Sequence, residues 1–248
     1  MNQYPYELSL VLPAYNEVLR LPPSLERLRQ YLAPTGRPYE VLVVDDGSRD
    51  GTGQLVQEAC RTWPELGLVT LEHNRGKGAA VRAGMLQARG RLRLFSDADL
   101  STPIEELAKL ERQIASGAGV AIGSRALPGS RVELHQPAYR ELMGKTYNRA
   151  LRLLVLRGLH DTQCGFKLFT AEATVACFRD LKTPGFGFDA EVLLRAQMAG
   201  IPIAEVPVVW RNAQGTRVNS LRDGTGMLLE LFQVRHRARS NHRSAAEP

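Results

Sequence analysis

The segment FSDADLS at residues 95–101 sets two aspartates, Asp97 and Asp99, one residue apart at the end of an apolar run. Carboxylates at that spacing can share a hard divalent cation. Magnesium commonly takes only one or two of them, together with the phosphates of its substrate. The same aspartates could instead cap a helix beginning near Pro103. What separates these readings is whether other chemistry-bearing residues converge on the pair. Further polar clusters lie along the chain: PAYNE at 13–17, DDGS at 45–48, HNRGKG at 73–78 and GSR at 123–125.

The elements that would position these clusters follow from periodicity. Short apolar runs alternate with helical patterns, as βα units of a mostly parallel sheet do. LSLVLPAYN (8–16), EVLVVDDGS (40–48), GLVTLEH (67–73), RLRLFSDAD (91–99) and GVAIGSR (119–125) read as five strands. Between them, Leu25, Leu28 and Leu32 follow Pro22 and Pro23 at helical spacing. Asp50-Gly51-Thr52 opens a helix reaching about Thr62, HNRGKGAA leads into an alanine-rich helix, and Pro103 fits a first helical turn. In open α/β sheets the ligand crevice lies beyond the carboxyl ends of the strands. Here PAYNE, DDGS, HNRGKG, SDAD and GSR all fall at such ends, which makes the acidic pair a candidate site. No G-x-G-x-x-G follows the first strand, and Lys77 lacks the frame of a Walker loop, so a phosphate must be held by other means.

Beyond residue 130 the pattern changes. Residues 138–157 read as a basic amphipathic helix, with Lys145, Arg149 and Arg152 on one stripe and Tyr147, Leu151 and Leu154 on another. Such a helix suits a membrane surface or a core-packing role. DTQCGFKLFT (161–170) reads as a loop entering a strand, followed by a helix from Ala171 and another at 188–200 closed by Gly200. IPIAEVPVVWR (201–211) reads as one strand whose prolines favour an edge position. A last helix at about 222–239 runs into the basic tail RHRARSNHR, so residues 1–220 read as one domain and 221–248 as an extension.

Composition narrows the function classes. With 44% hydrophobic and 23% charged residues over 248 positions, the chain is globular rather than disordered. No apolar run approaches a membrane span, and the start MNQYPYELSL carries no secretory pattern. Cys60, Cys164 and Cys177 fit neither a disulfide framework nor a zinc site, and reduced thiols in the cytoplasm are expected. Of the net charge of +6, most is local: residues 125–157 hold seven Lys or Arg against Glu133 and Glu141. That concentration points to phosphate or an anionic lipid surface. No aromatic platform or recognition motif accompanies it, so nucleic acid is not expected as partner.

PAYNE, VVDDGSRDGT, NRGKGAAVRAG and SDAD, in that order, resemble the family 2 glycosyltransferases of GT-A fold. HDTQCGFKLFT, GFDAEVL, IPIAEVPVVW and Gly215-Thr216-Arg217 resemble more narrowly their dolichyl-phosphate β-glucosyltransferase branch, so the likeness spans about 8–235. It implies an inverting, metal-dependent hexosyltransferase moving glucose from UDP-glucose to a polyprenyl phosphate at the cytoplasmic face of a membrane. A GDP-mannose donor and a soluble acceptor stay open. So does the lipid, dolichyl or undecaprenyl phosphate, because the N-terminal anchor of eukaryotic members has no counterpart here.

The resemblance also implies roles. Asp97 and Asp99 would meet Mg²⁺ or Mn²⁺ and the donor diphosphate, or Asp97 would contact ribose with Asp99 the direct ligand, and Ala98 would lie between them in the nucleotide-sugar site. Pro13, Ala14, Tyr15 and Glu17 would surround base and ribose, and Asp45 or Asp46 would accept the uracil N3–H unless the pair only forms a turn. Lys77 would approach the diphosphate or be only a surface lysine, and Arg217 would clamp the same charge; the family's usual residue at the latter position is lysine. Arg125, then Arg140, would bind the acceptor phosphate, with Arg131 and Lys145 as alternatives. Asp161 would orient the sugar, act as base or form a turn, and Gln163 and Lys167 share that ambiguity. Asp189 and Glu191 would touch sugar hydroxyls or simply begin a helix.

Overall fold

The computed structural model describes residues 3–133, 156 and 158–211. Its central strand, β1 (Tyr6–Ala14), buries Leu8, Leu10 and Leu12 on one face and Val11 on the other. Burial on both faces is why the run is almost continuously apolar. On the first face, helix α1 (Leu21–Leu32) packs Leu21, Leu25, Leu28 and Leu32 into the same cluster as those leucines. Removing one of them, as in Leu10→Ala, costs about 2–5 kcal/mol by the usual cavity penalty.

Strands β2 (Tyr39–Asp45), β3 (Leu66–Thr70) and β4 (Gly90–Ser96) lie parallel to β1 in the order β3-β2-β1-β4. Helix α2 (Thr52–Cys60) joins β2 to β3, and α3 (Lys77–Gln87) joins β3 to β4. Ala80, Val81 and Met85 of α3 cover the Val11 face. Pro103 stands outside the helical turn expected of it. It is extended, and a 3-10 turn at Ile104–Glu106 intervenes before α4 (Leu107–Ala115).

After β5 (Val120–Ser124) come β6 (Arg131–Val132), β7 (Phe166–Thr170), helices α5 (Ala171–Phe178) and α6 (Phe188–Met198), then β8 (Ile203–Pro207) and β9 (Val209–Trp210). The main sheet continues β4-β7-β5-β8, with β7 antiparallel to both neighbours. Its reversal brings the start of β7 to the edge where the parallel strands end, with Phe166 opposite Ser96. The single strand expected at 201–211 is divided. Its first part is the outer strand of the sheet, as its prolines suggested, but Pro207 ends the ladder there, since proline has no N–H to continue it. Val208 then donates to the Ser124 carbonyl at 3.2 Å, and β9 pairs with β6 instead.

The fold is thus a mostly parallel mixed sheet flanked by helices. The helices expected at 138–157 and 222–239 lie outside the described residues. All three cysteines are free thiols. Among the described residues no helix is long and apolar enough to cross a membrane.

Candidate active site

The loops after β1 and β2 are stitched together. Asn16, in a left-handed conformation at φ +53°, donates its N–H to Ser48 Oγ at 2.8 Å and accepts the Arg49 N–H at 2.9 Å. The Glu17 N–H reaches Thr52 Oγ1 at 2.9 Å, and the Asp46 N–H reaches the Ala14 carbonyl at 2.9 Å. Pro13 and Ala14 belong to the rim of the sheet, in register with Val44 and Asp45. Tyr15 is exposed.

The acidic residues expected around the nucleotide have partners of their own. Glu17 holds the Arg20 guanidinium through two bonds of 2.5 and 2.7 Å. Asp46, buried, accepts the N–H groups of Arg75 and Gly76, both at 2.8 Å, and so pins the loop before α3. Asp45 accepts the Ser48 N–H at 2.9 Å. Asp45, the last residue of β2, and Asp46 therefore shape the two loops that follow.

At the end of β4, Asp97 Oδ1 lies 2.5 Å from Lys77 Nζ. Burial works against the Lys77 ammonium, but the charges of Asp97, Asp189 and Asp99 outweigh it and hold its pKa above the ordinary lysine value. Asp99 Oδ1 accepts from the N–H and hydroxyl of Ser101 at 3.0 and 2.8 Å, so the pair does not cap a helix. Burial and then the Asp97 charge push the Asp99 carboxyl upward. Ala98 is buried between them. Leu100 follows at φ +48°, a region that costs a bulky residue about 1–3 kcal/mol. Its burial and an N–H bond of 3.0 Å to the Asp97 carbonyl hold it there.

Asp97 is also positioned from across the sheet. Its N–H donates to the Gly165 carbonyl at 3.0 Å, and a Cβ on Gly165 would stand 2.2 Å from Asp97 Oδ2. Only glycine leaves that space. Among the described residues no three His, Cys, Asp or Glu gather as a metal cluster. Two carboxylates suit a divalent ion that takes its other ligands from phosphate and water, so Asp97 and Asp99 fit Mg²⁺ or Mn²⁺ in that way.

At the end of β5, Arg125 meets Asp161 through Nε at 2.6 Å, Nη2 at 2.9 Å and its backbone N–H at 3.0 Å. The guanidinium lies over the Trp210 ring, 5.4 Å from its centroid. Burial alone would raise the Asp161 carboxyl; the Arg125 charge and hydrogen bonds outweigh it and hold the pKa at about 2. Asp161 is thus held as a carboxylate by Arg125. Gln163 contributes its N–H to the same carboxylate at 3.2 Å. Behind it, Glu205 accepts the N–H groups of Asp161 and His160 at 2.7 and 2.9 Å.

Three further candidates are interior groups. Lys167, fully buried, pairs with Asp189 and donates to the Cys164 carbonyl at 2.6 Å. Glu191 takes the Thr183 N–H and hydroxyl at 2.9 and 2.6 Å and Arg195 Nε at 2.9 Å. Arg131 is exposed in β6. Arg140, Lys145 and Arg217 lie outside the described residues. The sequence reading missed Gly165, Glu205 and Trp210; the one available signal was a lone glutamate inside the apolar strand IAEVPVVW.

The sequence pattern of glycosyl transferase family 2 matches residues 9–177. A dolichyl-phosphate beta-glucosyltransferase of Homo sapiens is 36% identical over 244 residues, covering 93% of this chain and 75% of its own length. Its counterpart in Saccharomyces cerevisiae is 32% identical over 246 residues, covering 92% and 74%. Among solved structures, glucosyl-3-phosphoglycerate synthase from Mycobacterium tuberculosis in complex with UDP is similar at a TM-score of 0.68 and 19% identity, covering 93% of this chain and 80% of that one. The same enzyme with Mn²⁺, UDP and phosphoglyceric acid gives 0.68 at 20% identity, covering 93% and 78%. These likenesses show a GT-A fold. With the family pattern spanning most of the folded core and relatives at this identity over nearly the whole chain, the protein belongs to glycosyl transferase family 2.

Proposed function

We propose that the chain is an inverting hexosyltransferase that moves glucose from UDP-glucose to a polyprenyl phosphate at an anionic membrane surface. The observation that carries the chemistry is one sheet edge bearing an acidic pair, a lysine upon it and an anchored arginine beyond it. The substrates are supported by relatives named for dolichyl phosphate and glucose, 32–37% identical over most of this chain. Residues 1–220 form the catalytic domain in this reading and 221–248 a basic extension, with Arg140 and Arg217 as additional phosphate contacts.

Tyr15 stacks on the base. Lys77 meets the donor diphosphate, and Asp97 and Asp99 hold Mg²⁺ or Mn²⁺ beside it. When bound, that ion compensates the charge growing on the leaving diphosphate. Arg125 receives the acceptor phosphate. Two of its five N–H donors are committed to Asp161, and among the described residues the other three are open to an incoming oxyanion. A phosphomonoester has its second pKa near about 6 and arrives largely dianionic, so attack at the anomeric carbon needs positioning more than a strong base. The phosphate oxygen forms the new glycosidic bond as the bond to the donor diphosphate breaks.

The test is incubation with radiolabelled UDP-glucose, Mg²⁺ and a polyprenyl phosphate, with and without EDTA. Label extractable into organic solvent and lost with EDTA is the expected result. Label transferred only from GDP-mannose, or only to a soluble phosphate, would redirect the reading to those substrates. Full labelling in EDTA would remove the metal.

A further inference from the structure

We infer that Lys77 is an exchangeable stand-in for the divalent ion: its ammonium neutralises Asp97 in the free protein and moves to the diphosphate when metal and nucleotide arrive. This rests on the proposed metal-dependent donor site.

Three observations carry it. The contact is single and partly accessible: among the described residues Nζ bonds one carboxylate oxygen, and the Lys77 and Asp97 side chains remain 22% and 31% exposed. Asp99 differs, since its Oδ1 is committed to the N–H and hydroxyl of Ser101, whereas among the described residues Asp97 Oδ1 has only Lys77 as side-chain partner. Lys77 also stands at the first position of α3, with no acidic residue in the first turn. A lysine there works against the helix dipole, whose positive end favours anions. Its charge is therefore poorly explained by helix stability and well explained by an anion it must meet.

The loop is built to hold that place. Gly76, at φ +98°, adopts a conformation open to glycine, and a Cβ there would stand 2.5 Å from the Pro184 carbonyl. Asp46 fixes the Arg75 and Gly76 N–H groups. The backbone before Lys77 is anchored while its flexible four-carbon stem can swing between two anionic partners. A divalent ion must displace the ammonium from Asp97, so the ion alone binds weakly. A nucleoside diphosphate offers the displaced ammonium a new partner, so ion and nucleotide assist each other.

Mn²⁺ binding to the full chain, read from the electron paramagnetic resonance signal of the free ion, tests this with and without UDP. In the natural protein UDP should tighten Mn²⁺ by about tenfold or more, within the usual range of coupling between sites. In Lys77→Gln, Mn²⁺ alone should bind several-fold tighter and the UDP effect should shrink. Lys77→Arg, which keeps a cation, should restore weak binding of the ion alone, and Asp97→Asn should abolish uptake. Unchanged or weaker Mn²⁺ binding by Lys77→Gln in the absence of UDP overturns the inference alone. No uptake by the natural protein even with UDP overturns it together with the metal assignment. Lys77→Met, read in the same way, guards against a defect peculiar to the glutamine variant.

Discussion

Two carboxylates at the rim of the sheet each hold a basic side chain, and the pairs are built differently. Lys77 and Asp97 share one contact and remain partly open to solvent. Arg125 and Asp161 share a two-pronged contact, a backbone N–H joins it, Trp210 covers the guanidinium and Asp161 is 1% exposed. A single bond to a partly exposed carboxylate exchanges more readily than a fork on a buried carboxylate whose lone pairs are satisfied, which fixes geometry. In the proposed reaction this would equip the donor side of the crevice to change partners and the acceptor side to present an arginine in a set orientation.

The contrast breaks most visibly at Asp161. Asp161→Ala leaves the Arg125 guanidinium and the backbone N–H groups of Arg125 and Gln163 without their acceptor, and should cost about 3 kcal/mol. For a chain of this size that lowers Tm by about 6–12 °C, measurable by calorimetry. Acid should expose the same pair at a slightly smaller scale. With a folded pKa of about 2 against the ordinary 3.8, Asp161 contributes stability that is fully present above pH 3.8 and lost as pH falls through about 2. That contribution is about 2 kcal/mol, and it should be missing from the acid limb of Asp161→Asn when urea midpoints are compared across pH 5 to 2.

Smaller again is the effect of misplacing the donor pair. Gly165→Ala forces a methyl group onto the Asp97 carboxylate and should lower glucosyl transfer by at least about tenfold, equivalent to about 1.4 kcal/mol, while the protein stays folded. Steady-state rates beside a thermal melt would show it; an active Gly165→Ala would mean that the exact seat of Asp97 does not matter. Least of all should be the stability change in Lys77→Gln, below about 1 kcal/mol and within about 3 °C in Tm. A drop as large as that of Asp161→Ala would erase the distinction between the two pairs.

Much of this was legible in the chain. β1 and α1 follow from apolar spacing, and the five polar strand ends follow from where each apolar run stops. Other features were hidden for physical reasons. Hydrophobic pattern gives a strand's burial and not its direction, so the reversal of β7 that sets Gly165 against Asp97 left no trace in FKLFT. Carboxylates suited to a ligand look the same as carboxylates suited to a loop: Asp46 and Glu191 satisfy backbone N–H groups, and Glu17 has an arginine three residues on. Pro207 announced a sheet edge but not the turn into a second, two-stranded sheet.

The sequence by itself determined the α/β layering, the order of the strands' polar ends and the acidic pair, because these depend on residue types at short, regular spacing. Only the tertiary structure decided which charges are free to exchange and which are locked. Desolvation and hydrogen-bond satisfaction depend on what approaches from distant parts of the chain: Gly165 and Lys77 at Asp97, Asp161 and Trp210 at Arg125.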